Sequence, residues 1–196
     1  MATPVGHILA GYAISHLARG EVKRRLLFPV GLCVFMAIAP DLDFLPGLFL
    51  DRPAMFHGEL LHSLGIALAL NLFVAGFLRI FGLPFGQMFS LGFLAYTSHL
   101  VLDMLQPDGR VPYGIPFLWP ISQAYWLSPL PVFPGVHHVS STSASTAEFI
   151  QGVLSLHNLL TIAFEIVVLA PYAFIWHWVT GQNKLDRNER IGRPIA

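Results

Sequence analysis

The stretch LLHSLGIALALNLFVAGFL, residues 60–78, contains no Asp, Glu, Lys or Arg. Its length and apolarity match a helix that crosses the hydrocarbon core of a bilayer, which takes about 20 residues. Residues 80–102 are equally free of formal charge. The whole chain agrees: 55% of it is hydrophobic and 11% charged, whereas soluble domains carry about 25% charged residues. With 16 Phe and 4 Trp, this composition points to an integral membrane protein.

Further apolar segments flank this stretch, at 4–18, 26–40 and 149–179, the last broken only by Glu165. The breaks are short. RGEVKRR (Arg19 to Arg25) reads as a basic hinge, and Pro46, Gly47 and Pro53 interrupt the chain after residue 40. Pro107 and Gly109 open a long loop, rich in Pro, aromatics and Ser, that runs to residue 147. The expected fold is all-α: a polytopic membrane helical bundle with four or five membrane-embedded helices. Residues 1–180 form the single membrane-embedded domain and 181–196 a basic tail. The segments 4–18 and 26–40 are short for a span, leaving interfacial or re-entrant placement open. The N-terminal segment lacks the positive start of a secretory signal, so no cleavage is expected.

The basic residues set the topology. Arg19, Lys23, Arg24 and Arg25 lie at one break, and Lys184, Arg187, Arg190 and Arg193 lie in the tail. Both groups belong in the cytoplasm, which leaves Arg52, Arg110 and the long loop outside. The formal net charge is zero, so direct nucleic-acid binding is not expected. Cys33 is the single cysteine, which excludes an intramolecular disulfide and a thiolate metal cluster. No G-x-S-x-G motif supports a serine hydrolase.

Under that topology His7, Asp41, Asp43, His57, His62, His99 and Asp103 reach one depth from four segments. His99 and Asp103 stand i, i+4 on one helix face, suited to two ligands of one ion or to a ligand and its supporting partner. Asp41 and Asp43 straddle a turn begun at Pro40, and a divalent cation relieves their repulsion. His57 and His62 are about 140° apart on an ideal helix. Either His57 precedes the helix or the two serve different ions. The metal candidates are His7, Asp41, Asp43, His62, His99 and Asp103. The catalytic candidates are Asp43, His57 and His62, with His7 and His57 as secondary ligands or proton carriers. Mixed His and Asp ligands suit zinc, with manganese and iron open. Such an ion makes water a nucleophile for an ester.

Plainer readings stand beside these. The aspartates can cap helices, His99 can be a buried hydrogen-bonded histidine, and Asp103 can simply end a helix. His16 reads as packing beside the basic hinge. His137, His138 and Glu148 in the loop could complete a metal site. His157 and Glu165 share a helix face, and an intramembrane Glu is a functional candidate as well as a structural one. His177 with Trp176 and Trp178 reads as an interfacial aromatic belt.

In order along residues 4–125, HILAGYAISH, APDLDFLP, FHGELLHSL, SHLVLDMLQPDG and YGIPFLWPIS resemble one family. It is described as LexA-binding, inner-membrane-associated hydrolases, or membrane-bound metal-dependent hydrolases. Where that family reads H-R-G-x-T-H-S, this chain has His57-Gly58-Glu59-Leu60-Leu61-His62-Ser63, so an acid enters and the basic residue is missing. The resemblance implies the cell's inner (plasma) membrane, a lipid or phosphoester substrate, contact with membrane lipids and a possible protein partner. More remotely, Asp, then His, then H-xxx-D is similar to the zinc phospholipase C and single-strand nuclease group. That likeness implies Asp41 or Asp43, His62, His99 and Asp103 as ligands. Two rival readings are a structural metal that staples helices and a small cation transporter using the carboxylates and Glu165.

Overall fold

The computed structural model describes residues 2–24, 27–109, 111–137 and 144–191, with side chains described to residue 175. Arg25, Arg110, His138 and Arg193 lie outside the described residues, as do the side chains of Trp176, His177, Trp178, Lys184, Arg187 and Arg190. The helices are α1 (Pro4–Ser15), α2 (Gly20–Arg24), α3 (Leu27–Ile38), α4 (Phe44–Phe49), α5 (Leu64–Ile80), α6 (Phe85–Met104), α7 (Thr146–Val153) and α8 (Leu156–Ile191). Short 3-10 turns occupy Ala39–Asp43, Pro53–Met55 and Leu60–His62. The described residues contain no strand, only an isolated bridge between Ile115 and Trp126. The all-α expectation holds.

Local chemistry sets the helix starts. Thr3 caps α1 by accepting from Gly6 N, with Pro in its first turn, where the missing N–H costs nothing. Ser63 caps α5 through Ile66 N. Ser145 and Glu148 form a reciprocal capping box that begins α7.

The expected four or five membrane helices are not all found. Among the described residues, two stretches are helical, long and apolar enough to cross a membrane: Leu27–Phe49 and Leu156–Ile175. The first runs through α3, a 3-10 turn and α4. The other apolar segments fall short for separate reasons. The 12 residues of α1 reach only about 18 Å, and the 17 residues of α5 about 25 Å. Helix α6 is diluted by Gln87, Ser90, Thr97, Ser98, His99 and Asp103. The segment read as continuous over 149–179 breaks between α7 and α8, and the basic stretch holds a short helix, α2.

Helix α1 packs on α3, α6 and α8, α3 packs on α6, and α6 on α5. Small residues allow this closeness. A Cβ at Gly11 would lie 2.7 Å from Cys33 O and 2.9 Å from Ala37 Cβ, so α1 rests directly on the α3 backbone. Ala37, Ala67 and Ala95 are fully buried, with Cys33, Met36, Tyr96 and Leu100 filling between them. Close backbone approach of this kind holds helices together where the surroundings are apolar.

The long loop closes one end of the bundle. Its Phe117 and Trp119 carbonyls accept the N–H groups of Leu64 and Gly65 at 2.9 and 3.0 Å. Ser128 N and Val132 N donate to Met104 O and Leu105 O at 2.9 and 2.7 Å. The loop thereby satisfies free donors at the start of α5 and free acceptors at the end of α6. His62 and Asp103 lie at those two helix ends.

Candidate metal centre

The seven His and Asp residues singled out in the sequence converge there. His7 comes from the first turns of α1, Asp41 and Asp43 from the 3-10 turn after α3, His62 from the turn before α5, and His99 and Asp103 from the end of α6. His57 precedes the turn that carries His62, so the first of the two alternatives for this pair holds. All are buried except Asp41, whose side chain keeps 19% exposure and marks the opening.

His62, His99 and Asp103 offer three atoms within reach of one ion, and Asp41 lies beside the two histidines. His62 Nε2 and His99 Nε2 are 3.2 Å apart. Asp103 Oδ2 lies 3.4 Å from the first and 3.2 Å from the second. Asp41 Oδ1 lies 3.8 and 3.6 Å from the same two nitrogens. A tetrahedral ion with bonds of about 2.0–2.1 Å has ligand–ligand edges of about 3.3 Å. The three edges of the His62–His99–Asp103 face are close to that value.

Hydrogen bonding fixes which ring nitrogens face inward. His99 Nδ1 donates to Ala37 O at 2.7 Å, so in the neutral ring Nε2 carries the lone pair. His62 Nδ1 lies 3.1 Å from Asp43 Oδ2, off the line of a good hydrogen bond. Placing its proton there likewise leaves a lone pair on Nε2. A proton or a divalent cation between these two nitrogens satisfies both. Asp41 Oδ1 and Asp103 Oδ2 are buried without a hydrogen-bond partner, a state costing about 1–3 kcal/mol each. The donor set, its distances and its orphaned oxygens fit a divalent cation.

Asp43 stands behind His62. Its Oδ1 meets His57 Nδ1 at 2.7 Å, and its Oδ2 accepts from Gly58 N at 3.0 Å. His57 stacks on Phe44 at 3.8 Å. Burial holds the His57 pKa below its usual value, outweighing the favourable Asp43 contact, so this imidazole is neutral. His7 stacks on His99 at 3.7 Å, and its Nε2 is 3.4 Å from Asp103 Oδ1. Both His7 nitrogens lack hydrogen-bond partners.

Other candidates lie elsewhere. His137 stacks on His157 at 3.5 Å, and its backbone pairs with the Asn158 side chain. His157 Nε2 meets Gly135 O at 2.9 Å. This group ties the loop to α8. Glu148 is occupied in its capping box. Glu165 accepts from Thr3 N at 2.9 Å and from Thr3 Oγ1, so it anchors the start of α1. The transporter reading needed Glu165 as an ion station, and that carboxylate is committed to Thr3.

Several participants had no signal in the sequence. Ala2 N donates to Asp103 Oδ1 at 2.9 Å, and Ala37 offers a carbonyl. Backbone groups are the same at every residue, so pattern reading cannot find them. Gln106, three residues past Asp103, is buried with both amide atoms unpartnered.

A family model described as "YdjM inner membrane protein" matches residues 1–183. The chain belongs to that family. Membership places it in the inner membrane, as the resemblance implied, and the match covers every residue of the His/Asp cluster. No curated protein and no solved structure matches the chain.

Proposed function

We propose that this chain is a membrane-bound, metal-dependent hydrolase of an ester substrate drawn from or near the lipid phase. Asp41, His62, His99 and Asp103 hold one divalent cation, zinc by the donor set. The observation that carries the reading is the group His62, His99 and Asp103 within reach of one ion, with Asp41 beside it and two orphaned carboxylate oxygens. A bound divalent cation would polarise the scissile group and make neighbouring water acidic. Asp43 fixes the His62 ring, and Ala37 O fixes His99. His57, neutral and hydrogen-bonded to Asp43, and His7, with both nitrogens free of hydrogen bonds, are the groups placed to carry protons. Asp41, the exposed ligand, lines the entry.

The lipid setting is supported by the exposed side chains. On α5, Leu68, Leu72, Phe73, Phe77 and Ile80 are exposed and apolar, so this short helix also presents a face to lipid. Phe49 and Ile121, on segments flanking the site, are 89% and 93% exposed. The chain is multi-pass in this reading, with the basic tail cytoplasmic and the site at the opposite face.

A structural metal is the second reading. It is favoured by the burial of His62, His99 and Asp103 and by a sphere that four protein ligands can close. Metal analysis of detergent-purified protein tests the centre: wild type retains zinc, and Asp41→Ala and His99→Ala lose it. Equal metal in all three refutes the site. Ester turnover by the loaded protein, absent after chelation, separates catalysis from stapling.

A further inference from the structure

We infer that the long loop, over residues 113–133, is an interfacial platform. It lies along the bilayer at the level of the lipid headgroups and upper acyl chains, and its partner is lipid. The inference needs the membrane placement of the family and not the metal.

Composition and backbone both point to lipid. Residues 111–137 contain no Asp, Glu, Lys or Arg, and these described residues form no helix. Ile121, Trp126, Leu130 and Val132 are nonetheless exposed. Apolar side chains grouped at a surface in this way mark a contact face. Irregular chain can meet lipid only where its own polar groups are already paired. At all four of these residues the N–H has an internal acceptor. Ile121 N donates to Leu118 O at 2.9 Å, Trp126 N to Ile115 O at 2.8 Å and Val132 N to Leu105 O at 2.7 Å. Leu130 N donates to Ser128 Oγ at 3.2 Å. Between them Pro116, Pro120, Pro129 and Pro131 have no N–H to satisfy. A protein partner brings hydrogen-bond groups of its own and does not require donors to be paired in advance; lipid does. Trp126 and Tyr113, both exposed, are the residue types that favour the headgroup level.

Hydrogen bonds to α8 give the depth. Leu156–Ile175 is long and apolar enough to cross a membrane, and the loop is bonded to the first turn of that stretch. The Asn158 side chain accepts from His137 N at 2.7 Å and donates to His137 O at 2.8 Å. His157 Nε2 meets Gly135 O at 2.9 Å. The end of the loop is therefore held where this helix enters the bilayer. An apolar cleft lined by Val101, Met104, Leu105, Trp126 and Leu127 carries the same surface from the loop onto α6, where Val101 is exposed. An acyl chain fits such a cleft, since it asks for no hydrogen bond.

The test uses full-length protein in vesicles of phosphatidylethanolamine and phosphatidylglycerol. A nitroxide is attached at Ile121→Cys, at Leu130→Cys and, as a control on α2, at Glu21→Cys; Cys33 is fully buried, and the wild-type chain serves as the blank. Collision with oxygen, which concentrates in lipid, is compared with collision with a water-soluble nickel chelate, calibrated on spin-labelled lipids. The expected depth at Ile121 and Leu130 is about 5–10 Å below the phosphates, with Glu21→Cys open to the chelate. Trp126, made the single tryptophan by Trp119→Phe, Trp176→Phe and Trp178→Phe, should be quenched by lipids brominated high on the acyl chain. Labels at 121 and 130 as open to the chelate as the control place the loop in water and overturn the inference. Labels shielded from both oxygen and chelate overturn it in favour of a protein partner or a second copy. Labels at the bilayer centre overturn the interfacial depth. Depth is read equally well on metal-free protein, so none of these results bears on the metal reading.

Discussion

Replacing Asp43 by Asn separates a direct ligand from a residue that holds a ligand in place. In the structure Asp43 faces His62 Nδ1 at 3.1 Å and His57 Nδ1 at 2.7 Å, on the side of the His62 ring away from His99 and Asp103. An Asn amide oxygen can still accept from Gly58 N and His62 Nδ1. Its amide nitrogen then faces His57, which can accept by moving its own proton to Nε2. Only charge is lost, so zinc affinity should fall about tenfold, or about 1.4 kcal/mol, near the lower end of the range for such supporting partners. Asp43→Leu removes the acceptor as well and strands three buried donors. Each costs about 1–3 kcal/mol, against a total stability of about 5–15 kcal/mol, so that variant should fold poorly. Competition with a chromophoric chelator measures affinity, and circular dichroism checks the fold. If the Asn variant loses zinc as completely as His99→Ala, Asp43 is itself a ligand. If it binds as tightly as wild type, Asp43 orients nothing.

Glu165→Leu should destabilise the protein by about 2–4 kcal/mol, because it strands Thr3 N and Thr3 Oγ1 in a buried setting. Glu165→Gln, which keeps one acceptor and can donate to the hydroxyl, should retain most of that stability. Thermal unfolding is readable with a thiol-reactive dye, since the single thiol, Cys33, is fully buried until unfolding. By the same assay Gly11→Ala should cost about 1–3 kcal/mol, since its new methyl meets the Cys33 carbonyl; an unchanged melting temperature would show that α1 and α3 are looser than described. Asp51 accepts from Thr146 N at 2.8 Å and Glu148 from Ser145 N at 2.8 Å, and these bonds hold both carboxyls below their usual pKa. Their contribution is therefore complete above the ordinary carboxylate pKa of about 4 and disappears as the pH falls through the lower folded values. Hydrogen-exchange protection at the start of α7 should drop in that acidic window, and should already be low at neutral pH in Asp51→Ala, which removes the acceptor. Protection that is flat with pH would contradict this.

The gathering of the seven polar residues was legible because charged and imidazole groups in an apolar chain need one another. The i, i+4 pair His99 and Asp103 sits as helix geometry requires. Asp41 and Asp43 were not separable by sequence. They lie in a 3-10 turn, where residues two apart point about 240° around the axis. Asp41 therefore faces His62 Nε2 and His99 Nε2, and Asp43 faces the other side of the ring, His62 Nδ1. The number of membrane helices was misjudged because hydropathy does not show where a helix stops. The segment 80–102 is uncharged, yet α6 carries enough hydroxyl, amide and imidazole groups to fail as a span. Glu165 looked like an ion station because an intramembrane acid invites that reading. Its partner, Thr3, is 162 positions away and carries no mark of the pairing.

That separation has a consequence for the order in which the molecule is made. α1 emerges from the ribosome before α8. The first turn of α1 cannot take its final seat until Glu165 has been synthesised and folded back onto it. Seating that turn brings Ala2 N onto Asp103 and His7 onto His99. A nascent chain that stops before α8 therefore carries the His/Asp cluster without the clamp that aligns it, and the cluster takes its final arrangement only after α8 is made.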